Sequence, residues 1–480
     1  MNREVKQAEP TDRPLIVDLD GTLIRTDLLV ESFFAYLGAN PLRIFSLPLS
    51  LSRGKARLKA GIAGETPIDA AQLPYDERVL ALIREAQASG RPVYLASASN
   101  ERYVRGVADH LGLFNGWFAS TDSENLSSSA KTQRLIGAFG AKGFDYIGND
   151  KADLPVWSAA KTSFAVQPSA AVRVALKRID ADAFVLEAPG AGLRAWLKLM
   201  RIHQWVKNAL VFVPMFAAHR FDLDAAAHTI IAAVAFSFAA SAIYILNDLA
   251  DLDADRRHRS KKRRPLAAGT VSARKAILCA PALLAAALGV GLLISLSFEA
   301  VLLVYVALTT LYTFYLKHKM MADIVTLASL FTLRVIAGAV AIDSIPSVWI
   351  LAFSMLIFTA LALIKRYVEL AARRDDELPD PTDRDYRKSD LGVLGALAAA
   401  CGLNAVTVFA LYISSDTVHR LYRHPQALWL VCPILLYWIG RALILAERRL
   451  MDDDPIVFAL RDRNSLLAFA LIGFIMIAAA

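Results

Sequence analysis

The stretch Asn247-Asp248-Leu249-Ala250-Asp251-Leu252-Asp253-Ala254-Asp255 gathers carboxylates directly after Ala226–Leu246, an apolar segment long enough to cross a bilayer. On a helix Asn247, Asp251 and Asp255 recur at i, i+4 and i+8 with Asp248 beside them, so their side chains share a face. Carboxylates clustered in this way repel one another unless a cation lies between them, and Mg²⁺ is the oxygen-seeking ion that bridges carboxylates to phosphates. The basic run Arg256-Arg257-His258-Arg259-Ser260-Lys261-Lys262-Arg263-Arg264 follows at once. Carboxylates for a metal and cations for phosphate, at a membrane surface, point to chemistry on a diphosphate. The plainer alternative is a solvated loop whose Lys and Arg only set topology, but aligned carboxylates exceed what the positive-inside rule needs.

A second pair of carboxylates lies near the start of the chain. Pro14-Leu15-Ile16-Val17 reads as a buried strand that delivers Asp18-Leu19-Asp20-Gly21-Thr22 at its tip. Two carboxylates two residues apart, beside a glycine turn, can divide labour: one attacks phosphorus and the other shuttles a proton to the leaving group. This motif resembles the first motif of the haloacid-dehalogenase superfamily of phosphotransferases, and the others follow in order. Val93-Tyr94-Leu95-Ala96-Ser97 is a second strand whose Ser97 hydroxyl suits a phosphate oxygen, and Lys131 in the next helical stretch suits neutralising phosphate and nucleophile. Phe144-Asp145-Tyr146-Ile147-Gly148-Asn149-Asp150 is a third strand leading to Asp153. The resemblance implies Mg²⁺ held by Asp18, Asp20, Asn149 and Asp153. Asn149 stands where the superfamily carries an aspartate, which weakens the metal site and leaves open an inert, recruiting domain. The residues from Asp27 to Ala88 are helical in pattern and would cap the site, with Lys55, Arg57 and Lys59 either facing an anion or lying on a solvated helix face.

The elements that must position these residues divide the chain in two. Its 480 residues are 56% hydrophobic, with a mean hydropathy of +0.41, and the apolar excess is confined to the second half. About nine candidate spans recur from Trp205: Val206–Ala217, Ala226–Leu246, Ile277–Leu296, Val301–Leu316, Ile324–Ile342, Val348–Ile364, Leu391–Ile413, Leu428–Leu445 and Leu466–Ala480, the first and last being the shortest. The expected organisation is an α/β Rossmann-like domain with a small helical cap over 1–186, and an amphipathic membrane-surface connection over 187–204. An all-α polytopic membrane domain follows over 205–480. Ser163–Val166 reads as the last strand of the first domain. The three cysteines, Cys279, Cys401 and Cys432, lie in apolar spans without metal-ligand spacing. Net charge is +8; the cations cluster in alternate loops, which places the N-terminal domain in the cytoplasm of a bacterial-type inner membrane. Polar residues at Met1–Arg13 argue against a signal peptide. No nucleic-acid motif is present, and self-association into a homo-oligomer stays open.

Asn-Asp-x-x-Asp-x-x-x-Asp at the end of a second span resembles the signature of the UbiA superfamily of membrane prenyltransferases. That resemblance implies two acidic motifs around a cavity that holds a diphosphate through Mg²⁺. The second would fall near Tyr312–Lys317 and Asp323, where Leu327 stands in place of a further aspartate. This asymmetry, with Arg201-Ile202-His203-Gln204-Trp205-Val206-Lys207-Asn208, Lys365-Arg366-Tyr367-Val368-Glu369, the Arg263–Gly269 turn and Asp453-Asp454-Pro455, is similar to the decaprenyl-phosphate phosphoribosyltransferase branch. The branch implies phosphoribosyl pyrophosphate as donor, held through Mg²⁺ by Asp248, Asp251 and Asp255 with Asn247 in support. It implies a polyprenyl phosphate as acceptor. Asp323 would ligand metal or ribose. Lys207, Asn208, Arg264, Lys317, Lys365 and Arg366 are candidates for binding substrate phosphates. Arg334, about three turns into its span, is a further candidate or the partner of a buried acid. An aromatic prenyltransferase is the competing reading, disfavoured by the single Asp323.

Overall fold

A computed structural model describes residues 12–40, 43, 48, 52, 54–187, 191–258, 260–381, 384–451 and 455–480. Arg259 and the Asp453-Asp454 pair lie outside the described residues. The chain forms two compact units: Met1–Met200 with Tyr244–Ala280, and Arg201–Ile243 with Pro281–Ala480. The first unit therefore includes the acidic and basic segment that the sequence assigns to the membrane half.

In the first unit six parallel strands, β1 (Leu15–Val17), β2 (Val93–Asn100), β3 (Gly116–Ser120), β4 (Asp145–Gly148), β5 (Ser163–Val166) and β6 (Phe184–Leu186), pair in the order β3-β2-β1-β4-β5-β6. Val17 pairs with Leu95 on one side and Ile147 on the other. β1 and β4 are buried throughout, as apolar runs covered by helices on both faces require. The chain order reverses beside β1, so the loops leaving β1 and β4 part and open a crevice at the carboxyl ends of the strands. The expected α/β domain is thus present, but Ser163–Val166 is not its last strand: β6 adds to it through Phe164 and Phe184. At three half-buried residues β6 is too short to show a period of its own. Helices Leu28–Ala39 and Lys55–Glu65 fill the interval between β1 and β2, ahead of Glu77–Ala88. Asp27 caps the first of them, accepting from the Val30 amide at 3.0 Å.

The membrane half contains seven helices long and apolar enough to cross a membrane among the described residues: Leu223–Ala250, Ala273–Gly291, Leu296–Phe314, Ala322–Ala341, Val348–Asp375, Lys388–Ile413 and Pro425–Glu447. Two of the nine expected spans differ. Val206–Ala217 is occupied by a 3₁₀ helix, Ile202–Phe212, and a short α-helix, Val213–Ala217, where Pro214 can only start a new α-helical turn. The last is a 17-residue apolar helix, Arg463–Ala479, capped by Asp462 on the Ser465 amide. Within the second unit Gly338 permits a close approach: a Cβ there would lie 1.9 Å from the Val211 carbonyl oxygen. The two largest apolar clusters of this unit lie around Leu363, Leu394 and Trp438 and around Phe236, Phe298 and Tyr305.

Candidate functional site

The crevice beside β1 collects most of the chemistry expected of the first unit. Asp18 leaves β1 with its amide bonded to the Ile147 carbonyl at 2.9 Å. Its Oδ1 accepts from Lys131 Nζ at 2.8 Å and its Oδ2 from Thr22 Oγ1 at 3.1 Å. Lys131, 113 residues away in sequence, also donates to Tyr146 Oη at 2.9 Å and reaches Asp153 Oδ1 at 3.4 Å. Burial pushes the Asp18 carboxyl up to about 7, although Lys131 pulls the other way. Burial, and then the neighbouring Asp27, also raise Asp20.

Asp20 is fixed from three sides. Its Oδ1 accepts from the Leu28 amide at 2.8 Å, and its Oδ2 from Ser99 Oγ at 2.6 Å and Ser97 Oγ at 3.1 Å. Ser97 is fully buried and also accepts from the Ser99 amide. Its hydroxyl is therefore directed at Asp20 rather than presented to a phosphate. Asp153 likewise departs from the expected metal ligand. Its Oδ2 accepts from the amides of Asn149 and Asp150 at 2.9 and 3.0 Å, and its Oδ1 from Tyr146 at 2.7 Å. Burial opposes ionisation of Asp153, but Lys131 and these amides outweigh it and hold its carboxyl below the usual range. These two amide bonds shape the loop that carries Asn149. That loop closes over Gly21, at φ +76°, where a Cβ would stand 2.2 Å from Asn149 Nδ2. Asp18 and Asn149 are thus the oxygen donors on the two facing loops that suit a hard cation. Of the three cap cations only Lys59 turns inward, donating to the Ala98 carbonyl at 2.7 Å and Asn125 Oδ1 at 2.8 Å; Lys55 and Arg57 are exposed.

The acidic segment keeps its shared face through a break. Helix Leu223–Ala250 ends before Asp251 and Leu252–Arg257 begins after it, yet the amides of Asp251 and Asp255 still bond the carbonyls of Asn247 and Asp251 at 2.9 and 2.8 Å. Asp248 and Asp255 are buried, Asn247 and Asp251 half-buried. Arg264 Nη1 lies 3.1 Å from Asp248 Oδ1 and 2.6 Å from Asp255 Oδ2. Two carboxylates therefore converge on one cationic nitrogen. Among the described residues no three His, Cys, Asp or Glu side chains form a ready-made metal cage. Burial raises the Asp255 carboxyl, partly offset by Arg264.

In the second unit Asp323 is fully buried and wholly engaged, which differs from the expected ligand to metal or ribose. Arg366 Nη2 lies 2.5 Å from its Oδ2, and Tyr386 Oη and the Ile324 amide donate to its Oδ1 at 2.6 and 2.8 Å. Arg384 stands 3.6 Å away and Glu369 pairs with Arg366. Arg366 is therefore a structural partner of Asp323 here, not a free phosphate ligand. Arg334 is buried, and among the described residues no acid makes it an ion pair. It donates to Asn208 Oδ1 at 2.8 Å, to Tyr305 Oη at 2.9 Å and to the Leu330 carbonyl at 2.6 Å. Asn208 in turn donates to Ser237 at 2.9 Å. Lys207 lies over the Phe331 ring, while Lys317 and Lys365 are half-buried. Sequence reasoning gave no role to Thr22 and Tyr146, which stand inside the quoted motifs, and missed Ser99, Tyr386 and Arg384, which no spacing marks.

Residues 209–449 match the model of the UbiA prenyltransferase family, and residues 15–157 that of the haloacid dehalogenase-like hydrolases. A Sinorhizobium fredii protein named y4nM is 35% identical over 96% of this chain and 90% of its own length. The decaprenyl-phosphate phosphoribosyltransferase of Mycobacterium tuberculosis is 38% identical over 43% of this chain and 68% of its own. A UbiA homologue from Archaeoglobus fulgidus bound to GPP and Mg²⁺ aligns with 59% of this chain and 99% of its own at 17% identity, with a TM-score of 0.46. The chain belongs to the UbiA prenyltransferase family, as a multi-pass membrane enzyme with a haloacid-dehalogenase-like domain ahead of its membrane helices.

Proposed function

We propose that the chain transfers 5-phosphoribose from phosphoribosyl pyrophosphate to a polyprenyl phosphate at the cytoplasmic face of a bacterial inner membrane. Its haloacid-dehalogenase-like domain then removes the 5-phosphate from the lipid product. The convergence of Asp248 and Asp255 on one cation position, at the end of a membrane helix, carries this reading. The likeness to proteins named decaprenyl-phosphate phosphoribosyltransferases supports a lipid phosphate as acceptor and a phosphoribosyl group as the one transferred.

In the transfer, an anionic oxygen of the lipid phosphate bonds to the anomeric carbon as the bond to pyrophosphate breaks. The acceptor oxygen is already ionised near neutral pH, so no strong base is needed. Asp248, Asp251 and Asp255, supported by Asn247, would hold Mg²⁺, which when bound neutralises charge on the departing pyrophosphate. Arg264 and Lys207 are the candidates for steadying phosphates, and Arg334, whose hydrogen-bond partners among the described residues are neutral, is a candidate for an anionic group of a substrate.

In the hydrolysis, Asp18 attacks phosphorus while Asp20 protonates the departing ribose oxygen; water then releases phosphate from Asp18 with Asp20 as base. Lys131 offsets charge on Asp18 and the transferred group. The direct test incubates purified protein with Mg²⁺, labelled phosphoribosyl pyrophosphate and a polyprenyl phosphate, and analyses the lipid by mass. A ribosylated lipid lacking the 5-phosphate is expected. Prenylation of an aromatic acid without ribosyl transfer would replace the first half of the reading.

A further inference from the structure

The segment Tyr244–Ala280 is built into the first unit at several points. Arg256 pairs with Glu31 of helix Leu28–Ala39, both buried, with Nη1 2.8 Å from Oε2. Lys198 donates to the Arg263 carbonyl at 2.9 Å. Gly269, at φ +64°, lies so close to the turn after β1 that a Cβ would stand 2.7 Å from Arg25 Cβ.

Arg274, near the start of Ala273–Gly291, goes further and reaches the β1 crevice itself. Its Nε pairs with Asp27, and its Nη1 lies 2.6 Å from Asp150 Oδ2. Asp27 immediately precedes Leu28, whose amide holds Asp20. Asp150 immediately follows Asn149, which packs over Gly21. Arg274 therefore ties together the two loops that flank the Asp18–Thr22 turn, while its side chain stays 50% exposed. Without it Asp20, Asp27 and Asp150 form an acidic rim, and like charges at such separations repel an incoming phosphate. Lys131 and Lys59 are committed inward, Lys131 to Asp18 and Asp153 and Lys59 to Ala98 and Asn125.

We propose that Arg274 is a positioning residue of the β1 crevice: it neutralises the acidic rim so that a phosphomonoester dianion can enter. Because the same segment carries Asp248 and Asp255, the crevice accepts phosphate only with the acidic segment seated on the first unit. The inference rests on the phosphatase reading for the nature of the ligand, but its test does not need turnover.

Inorganic phosphate binding to the full-length protein is followed by phosphorus NMR in wild type and variants. Arg274→Ala should weaken binding about tenfold or more, and Arg274→Lys should stay within about threefold of wild type. Adding Asp150→Asn to Arg274→Ala should recover most of the loss, because it removes a rim charge; a purely structural tie would not be restored by deleting its second partner. Undiminished binding in Arg274→Ala, no recovery in the double variant, or no phosphate binding by wild type would each overturn the proposal. Arg274-dependent binding in a protein that releases no phosphate from any phosphomonoester would support it while sinking the phosphatase reading.

Discussion

Glu31→Gln tests how firmly the acidic segment is joined to the first unit. Glu31 and Arg256 side chains are only 6% and 5% exposed. Glutamine keeps the volume and one acceptor, but it turns an amino group toward a guanidinium nitrogen that now lies at 2.8 Å from an oxygen. The buried Arg256 charge is left without its counter-charge; its remaining bond, to the Ala267 carbonyl at 3.3 Å, is weak compensation. Removing one member of a buried pair costs about 3–5 kcal/mol. At about 2–4 °C per kcal/mol for a unit of this size, the melting midpoint should fall by about 6–20 °C. Proteolysis pulses along a thermal ramp, read on the N-terminal fragment of purified full-length protein, give that midpoint. Glu31→Leu combined with Arg256→Met should regain most of the loss, since an apolar pair of similar volume replaces both charges. A Glu31→Gln midpoint within about 2 °C of wild type, or a double variant no more stable than the singles, would refute the argument.

Asp251→Asn should lower ribosyl transfer by about 100-fold or more in protein that still inserts and folds; near-normal turnover would remove the acidic segment from the chemistry. Asp18→Asn should leave the transfer product carrying its 5-phosphate, seen as a heavier lipid by mass spectrometry. Asn149→Asp restores a charged oxygen beside Gly21 and should increase phosphate release and its sensitivity to Mg²⁺; continued silence would mark the domain as a recruiting module. Asp323→Asn strands Arg366 beside Glu369 alone and should destabilise the second unit by about 3–5 kcal/mol, read as a lower melting midpoint of the detergent-purified protein.

Much of the first unit is legible because local pattern and tertiary role agree. Leu15–Val17 and Asp145–Gly148 lie in apolar runs ending in carboxylate or amide residues, and both are buried strands whose tips face the crevice. The pairing of Asp18 with Lys131 follows from motif order over 113 residues. The role of Asp153 does not, because a carboxylate that accepts backbone amides looks the same in sequence as one that ligands a metal. The basic run shows the same limit more strongly. Its charge is obvious, yet nothing in its spacing distinguishes Arg256, buried on Glu31, from Arg257, exposed on Asp253. The first expected span shows the limit of hydropathy: 206–217 is apolar, but Pro214 and the 3₁₀ turns before it prevent one continuous α-helix. Asp323 stands out in the sequence only as a candidate ligand to metal or ribose, whereas Tyr386 and Arg384, which engage it, come from a loop without periodicity.

The first unit is discontinuous along the chain, and this orders its biosynthesis. Glu31 leaves the ribosome 225 residues before Arg256, a delay of about 10–45 s at ordinary elongation rates. The sheet can close once β6 emerges, but the buried Glu31 carboxylate then waits for its counter-charge, which follows the Leu223–Ala250 helix in the chain. That helix, long and apolar enough to cross a membrane, is made before Arg256 and Arg274, so its entry into the bilayer can precede their docking. Completion of the N-terminal unit is thereby timed by membrane insertion, so a nascent chain stalled before residue 256 should expose Glu31 and remain more protease-sensitive than one released after residue 280.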